Sequence, residues 1–264
     1  MTDKTSTMTT TVRKEKVYVL YGSQTGNSEE YANTFAEELP KKLSSSELQE
    51  MTGTSQSIQL EPKCMQLDDF LELQKCDWTR LVIIFVSSYG VGQAPLGSYR
   101  FRDLCDAWKE RKTPNALLKG VQFALCGLGD SSYTTFFQNP TSIYEGLEQV
   151  GAKRIGTIGK ADASKSGDDA QAPVIARWKE ALWQPLAEAV VEDPLSEETL
   201  KTMQQKTIEL CCEINPDFVA PGAKPSATAA AAMSKSSSGS DVLPFTVVPV
   251  IMVIIAIVAI YYLK

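Results

Sequence analysis

The junction from Lys16 to Glu30, KVYVLYGSQTGNSEE, constrains this chain more than any other stretch. A β-branched apolar run, Val17 to Tyr21, stops at Gly22. Ser23, Gln24, Thr25, Gly26 and Asn27 follow, and a helix is predicted to open at Ser28 with Glu29 and Glu30 in its first turn. Free backbone N–H groups and the positive end of a helix dipole converge at such a junction, making it an anion cradle. A nucleoside-triphosphate loop needs a Lys after its second Gly and a Ser/Thr for Mg²⁺, whereas Gly26 is followed by Asn27 and Ser28. A dinucleotide loop would read G-x-G-x-x-G, and this one does not. A single terminal phosphate held by neutral hydroxyls and amides remains, with an ordinary helix cap at Ser28 as the alternative.

Composition narrows the chemistry. The 264 residues fit one domain with appendages, and the net charge of −6 argues against a nucleic-acid partner. The chain has no His, which excludes His-based nucleophile activation, His acid–base chemistry and most zinc sites. The six Cys form no C-x-x-C and read as reduced structural thiols of a cytosolic domain.

Both ends differ from the middle. Residues 1–15 are polar, lack the apolar core of a secretory signal and read as a disordered leader. Val242 to Leu263 is an almost unbroken apolar run closed by Lys264. As a helix it spans roughly 33 Å, enough for a bilayer core of about 30 Å. Tyr261 and Tyr262 suit the far interface, so the run reads as a transmembrane tail anchor.

Between the ends, strand and helix patterns alternate. The first helix is predicted over Ser28 to Leu39 and ends at Pro40, followed by a polar connection from Ser44 to Ser57. A weak strand at Ile58 to Leu60, extending toward Met65, leads to a short helix over Leu67 to Leu73. The continuous apolar run Leu81 to Ser88 has the character of a strand buried on both faces, and its loop runs from Tyr89 to Gly97. A helix over Ser98 to Arg111, a strand over Gly120 to Cys126 and a loop over Gly127 to Pro140 follow. Then come a helix over Thr141 to Val150, a strand over Arg154 to Gly159, a polar loop over Lys160 to Asp169 and a helix over Gln171 to Val191.

This is the pattern of an α/β fold, a doubly wound five-stranded parallel sheet of order 2-1-3-4-5 spanning residues 16–192. Residues 193–214 add an extra helix, predicted over Ser196 to Ile214. The Pro-, Ala-, Ser- and Gly-rich stretch 215–241 is a flexible linker reaching about 30 Å root-mean-square.

In that strand order the loops Gly22 to Ser28, Ser87 to Gly97 and Gly127 to Pro140 meet at one crevice. Tyr89 and Tyr133, each beside glycines, could hold a planar ring system between aromatic faces. The segments SQTGNSE, SSYGVG and LCGLGDSSY resemble the FMN-binding domain of the diflavin reductases and, more distantly, the flavodoxins; the likeness covers about Val17 to Leu186. The resemblance implies FMN as cofactor, with Ser23, Gln24, Thr25, Gly26, Asn27 and Ser28 on its phosphate. Ser87 and Ser88 would precede a first ring loop whose Tyr89 flanks the isoalloxazine and whose Gly90 backbone responds to its redox state. Leu128, Gly129, Asp130, Ser131, Ser132 and Phe136 would form the pyrimidine side, with Tyr133 on the opposite face and Asp162 contacting the cofactor from a later loop.

Two departures shape the functional expectation. Relatives carry acidic residues in the first ring loop where Val91 and Gln93 stand here. The chain also ends where diflavin reductases continue into an FAD and NADPH module. The expectation is a tail-anchored, cytosol-facing carrier at the endoplasmic reticulum or outer mitochondrial membrane. It would relay single electrons from a separate FAD-containing NAD(P)H reductase to a membrane-associated haem or iron–sulfur protein. A non-redox scaffold module of the same fold and an NAD(P)H quinone reductase are the alternatives.

Overall fold

The computed structural model describes residues 12–74, 77–113 and 115–221. The apolar run at 242–263 lies outside the described residues, as do Cys76 and most of the leader and linker. Among the described residues no helix is long and apolar enough to cross a membrane.

The expected sheet forms around three apolar runs, at 17–21, 81–86 and 123–126. Strands β1 (Arg13–Gly22), β3 (Leu81–Ser87) and β4 (Gln122–Gly129) lie side by side, with β2 (Ile58–Gln66) outside β1. All pairings are parallel, and register is fixed by contacts such as Val19 opposite Ile83 and Ile83 opposite Ala124. Successive residues point to opposite faces. Val17 and Val19 enter a core closed by α1 (Asn27–Lys42), α2 (Ser45–Thr52) and α6 (Gln171–Val191). Tyr18 and Leu20 enter the other, closed by α3 (Leu67–Leu71), α4 (Tyr99–Glu110), α5 (Gln138–Gln149) and α7 (Glu197–Ile214).

Five local readings change. The first strand begins at Arg13, inside the segment read as leader, because Glu15 is buried there against Arg80, Oε1 to Nε at 3.2 Å. Pro40 does not end α1. It removes one ladder bond in the last turn, yet Leu43 still donates to the Leu39 carbonyl at 2.9 Å, and both side chains are buried. The connection 44–57 contains α2, which is capped by Ser44 accepting from the Glu47 N–H and anchored by buried Leu48. The helix after the third loop starts earlier, at Gln138, behind Phe137 at φ 65°.

The fifth strand is split. Lys153–Arg154 (β5) and Gly159–Asp162 (β6) both pair with β4, and the residues expected as its middle, Ile155 to Ile158, fall between them. Gly156 turns there at φ 65°, and Trp178 donates its indole N–H to the Thr157 carbonyl at 2.8 Å. The strand therefore resumes inside a segment that reads as polar loop, placing Asp162 beside Gly129.

Candidate functional site

The first loop is shaped by its own backbone. A Cβ at Gly22 would come within 2.6 Å of the Ser98 side chain, so only Gly lets α4 approach the end of β1 so closely. Ser23 donates its N–H to the Leu96 carbonyl at 3.1 Å, joining the first loop to the second, and its Oγ accepts from the Gly26 N–H at 3.0 Å. Gly26, at φ 92°, is the N-cap of α1 and carries no side-chain cap. Ser28 is therefore not the cap that the alternative reading of this junction expected. The first-turn N–H groups of α1 are left for an anion.

Two side chains point to what that anion is. Gln24 Oε1 and Ser28 Oγ are buried without a hydrogen-bond partner, and Ser28 is 1 % exposed. Buried polar atoms are almost always paired, so these two mark a ligand position. Among the described residues no Lys or Arg lines the cavity. Glu29 in the same turn is turned aside, accepting from the Tyr21 hydroxyl at 3.0 Å.

The two ring loops are cross-tied. Ser88 donates its N–H to the Leu128 carbonyl at 3.1 Å, and its Oγ accepts from the Asn139 N–H at 3.1 Å. The Asn139 amide donates to the Ser87 carbonyl at 2.8 Å. Tyr89 and Gln93 exchange backbone bonds across a tight turn containing Gly90 at φ 53° and Gly92 at φ 87°. Tyr89 and Tyr133 stand 48 % and 62 % exposed at its mouth, as rings awaiting a planar partner would.

The three loops enclose a cavity of about 340 Å³. Gln24, Thr25, Asn27 and Ser28 line one end; Ser87, Ser88, Tyr89 and Gly90 line one wall; Leu128, Gly129, Asp130, Tyr133 and Phe136 line the other. Ser23, Gly26, Ser131, Ser132 and Asp162, also expected at the cofactor, do not line it. They hold its walls instead. The Asp162 carboxylate accepts from the Ser131 N–H at 2.9 Å and from the Ser164 N–H and hydroxyl at 3.0 and 2.9 Å. Burial pushes this carboxyl up, but hydrogen bonds from Ser131 and Ser164 prevail and hold it well below the usual range. Ser132 donates its N–H to Asp130 at 2.9 Å.

Thr135, Ala163 and Gln171 line the cavity without having been singled out in the sequence. The Gln171 amide donates to the Gly129 and Ala161 carbonyls at 3.1 and 3.3 Å. No local pattern announces it. Its place depends on where α6 begins after the split strand.

A family model described as flavodoxin matches residues 19–176. The chain belongs to the flavodoxin family. It is 29 % identical over 179 residues to the NADPH–cytochrome P450 reductase of Saccharomyces cerevisiae, covering 67 % of this chain and 22 % of that protein. It is 33 % identical over 175 residues to the flavoprotein alpha-component of the NADPH sulfite reductase of Bacillus subtilis, covering 66 % of this chain and 24 % of that protein. The chain thus spans about a quarter of the length of these curated relatives. A mutant flavodoxin from Pseudomonas aeruginosa aligns with a TM-score of 0.45 and 22 % identity, over 67 % of this chain and 99 % of that one.

The cofactor of this flavodoxin domain is FMN. The residues present fit it: an uncharged cradle with two orphaned polar atoms for a terminal phosphate, and two exposed tyrosines across a cavity for a ring. Membership of the flavodoxin family supports FMN-based electron transfer in general.

Proposed function

We propose that the domain relays single electrons from a separate FAD-containing NAD(P)H reductase to a haem or iron–sulfur protein at a membrane. The observation that carries the reading is the open cavity between Tyr89 and Tyr133, walled by backbone and neutral side chains, with Asp130 the one acidic or basic side chain lining it among the described residues. Bound FMN supplies one- and two-electron redox chemistry. The chain supplies position. Ser28, Gln24 and the first-turn N–H groups of α1 would hold the phosphate, and the tyrosines would bracket the ring. The turn at Gly90 would place a backbone carbonyl or N–H beside it. The apolar run 242–263 would tether the domain, facing the cytosol, to the endoplasmic reticulum or outer mitochondrial membrane.

The test is anaerobic. The full chain with FMN bound keeps its oxidised absorbance when NADPH is added alone and loses it when ferredoxin–NADP⁺ reductase is added as well. Bleaching by NADPH alone would instead support a quinone reductase. No bleaching in either mixture would leave a scaffold.

A further inference from the structure

One wall of the cavity is held from behind by a cation. Phe136 lines the cavity, and Phe137 follows it as the N-cap of α5. The two rings lie on the end of β4, where two glycines leave the strand bare. A Cβ at Gly127 would collide with the Phe137 ring, and one at Gly129 would come within 2.8 Å of the Phe136 ring. The turn that lays both rings down is strained. Phe137 has φ 65°, a left-handed conformation that an aromatic residue rarely adopts and that persists only where its surroundings hold it.

Lys160 supplies part of that hold. It stands on β6 directly opposite Gly127, so its side chain emerges on the same face of the sheet as the two rings. Its Nζ lies 4.9 Å from the Phe136 centroid and 5.1 Å from the Phe137 centroid, both within cation–π reach. The rings are tilted 56° to each other with centroids 5.8 Å apart, so one ammonium covers both. Among the described residues no carboxylate pairs with this ammonium. Lys160 is itself exposed and does not line the cavity; of the two rings beneath it, Phe136 does.

We propose that Lys160 is a positioning residue for the cofactor: its cation–π contacts pin Phe136 against Gly129 and so keep the wall after β4 in the place the ligand needs. The proposal rests on the FMN site and assigns a role to a residue behind its wall. Without the charge, Phe136 is free to leave the glycine floor. Binding must then order the ring as well as the ligand, and affinity falls.

A fluorescence titration of the FMN-free full chain with FMN tests this. Lys160→Gln keeps much of the stem and removes the charge, whereas Lys160→Arg keeps the charge on a planar group that stacks on aromatic faces. The FMN dissociation constant is expected to rise about fivefold in Lys160→Gln and to stay native in Lys160→Arg. The difference survives about 0.5 M salt, because ammonium and ring are in contact and leave no room for screening ions. In a Phe136→Leu background, Lys160→Gln has no further effect on affinity, since the ring it acts through is gone. Equal constants for Lys160→Gln and the native chain overturn the proposal, as does failure of Lys160→Arg to keep the native value. A loss of affinity that persists in the Phe136→Leu background, or that salt abolishes, overturns it in favour of plain attraction between the ammonium and the phosphate. Absence of FMN binding by the native chain sinks the site itself, and this proposal with it.

Discussion

The backbone N–H of Ser131 donates to the Asp162 carboxylate at 2.9 Å, tying the loop after β4 to the last residue of β6. The carboxylate expected at the cofactor is engaged by the backbone of the loop that carries Asp130 and Tyr133. Asp162→Ala frees the Ser131 and Ser164 donors and loosens the wall that carries Asp130 and Tyr133. Losing bonds worth about 1–2 kcal/mol raises the FMN dissociation constant about 5- to 30-fold. Fluorescence titration checks this, and an unchanged constant contradicts the positioning role.

The same carboxylate sets an acid limit. Its folded pKa is depressed below the ordinary 3.8, so its contribution to stability is present above that value and lost as pH falls below it toward the folded pKa. The thermal midpoint of the native chain declines over that acidic window. The Asp162→Ala chain starts lower at neutral pH and lacks this component of the decline.

Ser28→Ala separates binding from folding. Its hydroxyl is buried and unpartnered without ligand, so its removal leaves the stability of the FMN-free chain unchanged or raises it. Binding moves the other way. A lost hydrogen bond to a charged phosphate weakens FMN about 10- to 100-fold. Loss of both stability and affinity would mean that Ser28 is structural.

Two tyrosines set an alkaline limit. Burial, reinforced by Asp77, pushes Tyr18 up to about 12; burial, reinforced by the hydrogen bond to Glu29, pushes Tyr21 up to about 12. Both ordinary values are 10.0, so the unfolded chain deprotonates first. Their stabilising contribution is intact below pH 10 and lost as pH rises through about 12. Unfolding free energies measured across that window fall steeply for the native chain and less for Tyr18→Phe or Tyr21→Phe.

Arg80 closes the far end of the sheet. It is 2 % exposed and donates to the Ala189 and Val190 carbonyls at 2.8 and 3.1 Å, capping the last turn of α6, while its Nε faces Glu15. Burial pushes Glu15 up and Arg80 down, so desolvation outweighs their attraction. Arg80→Ala leaves Glu15 buried without this partner and costs about 3–5 kcal/mol. Arg80→Met combined with Glu15→Gln recovers part of that loss, by denaturant titration.

What was legible in the sequence followed from periodicity. The apolar runs inside β1, β3 and β4 are covered on both faces, and their pattern announced the sheet and brought three loops to one end. Elements that depend on single contacts were not legible. Helix α2 needs only the Ser44 cap and buried Leu48, and α1 outlasts Pro40 because Leu43 still reaches a core. The site divides the same way. Residues in motifs, such as Ser28, Tyr89 and Gly129, line the cavity. Gln171 reaches it through the path of a split strand, and Asp162 accepts from the Ser131 N–H without lining it.

The central claim is that three loops make one FMN site, and a fluorescence titration of the FMN-free full chain tests it most directly. The account predicts quenching that saturates at one FMN per chain, with riboflavin, which lacks the phosphate, binding far more weakly. Absence of saturable quenching, or riboflavin binding as tightly as FMN, would contradict it.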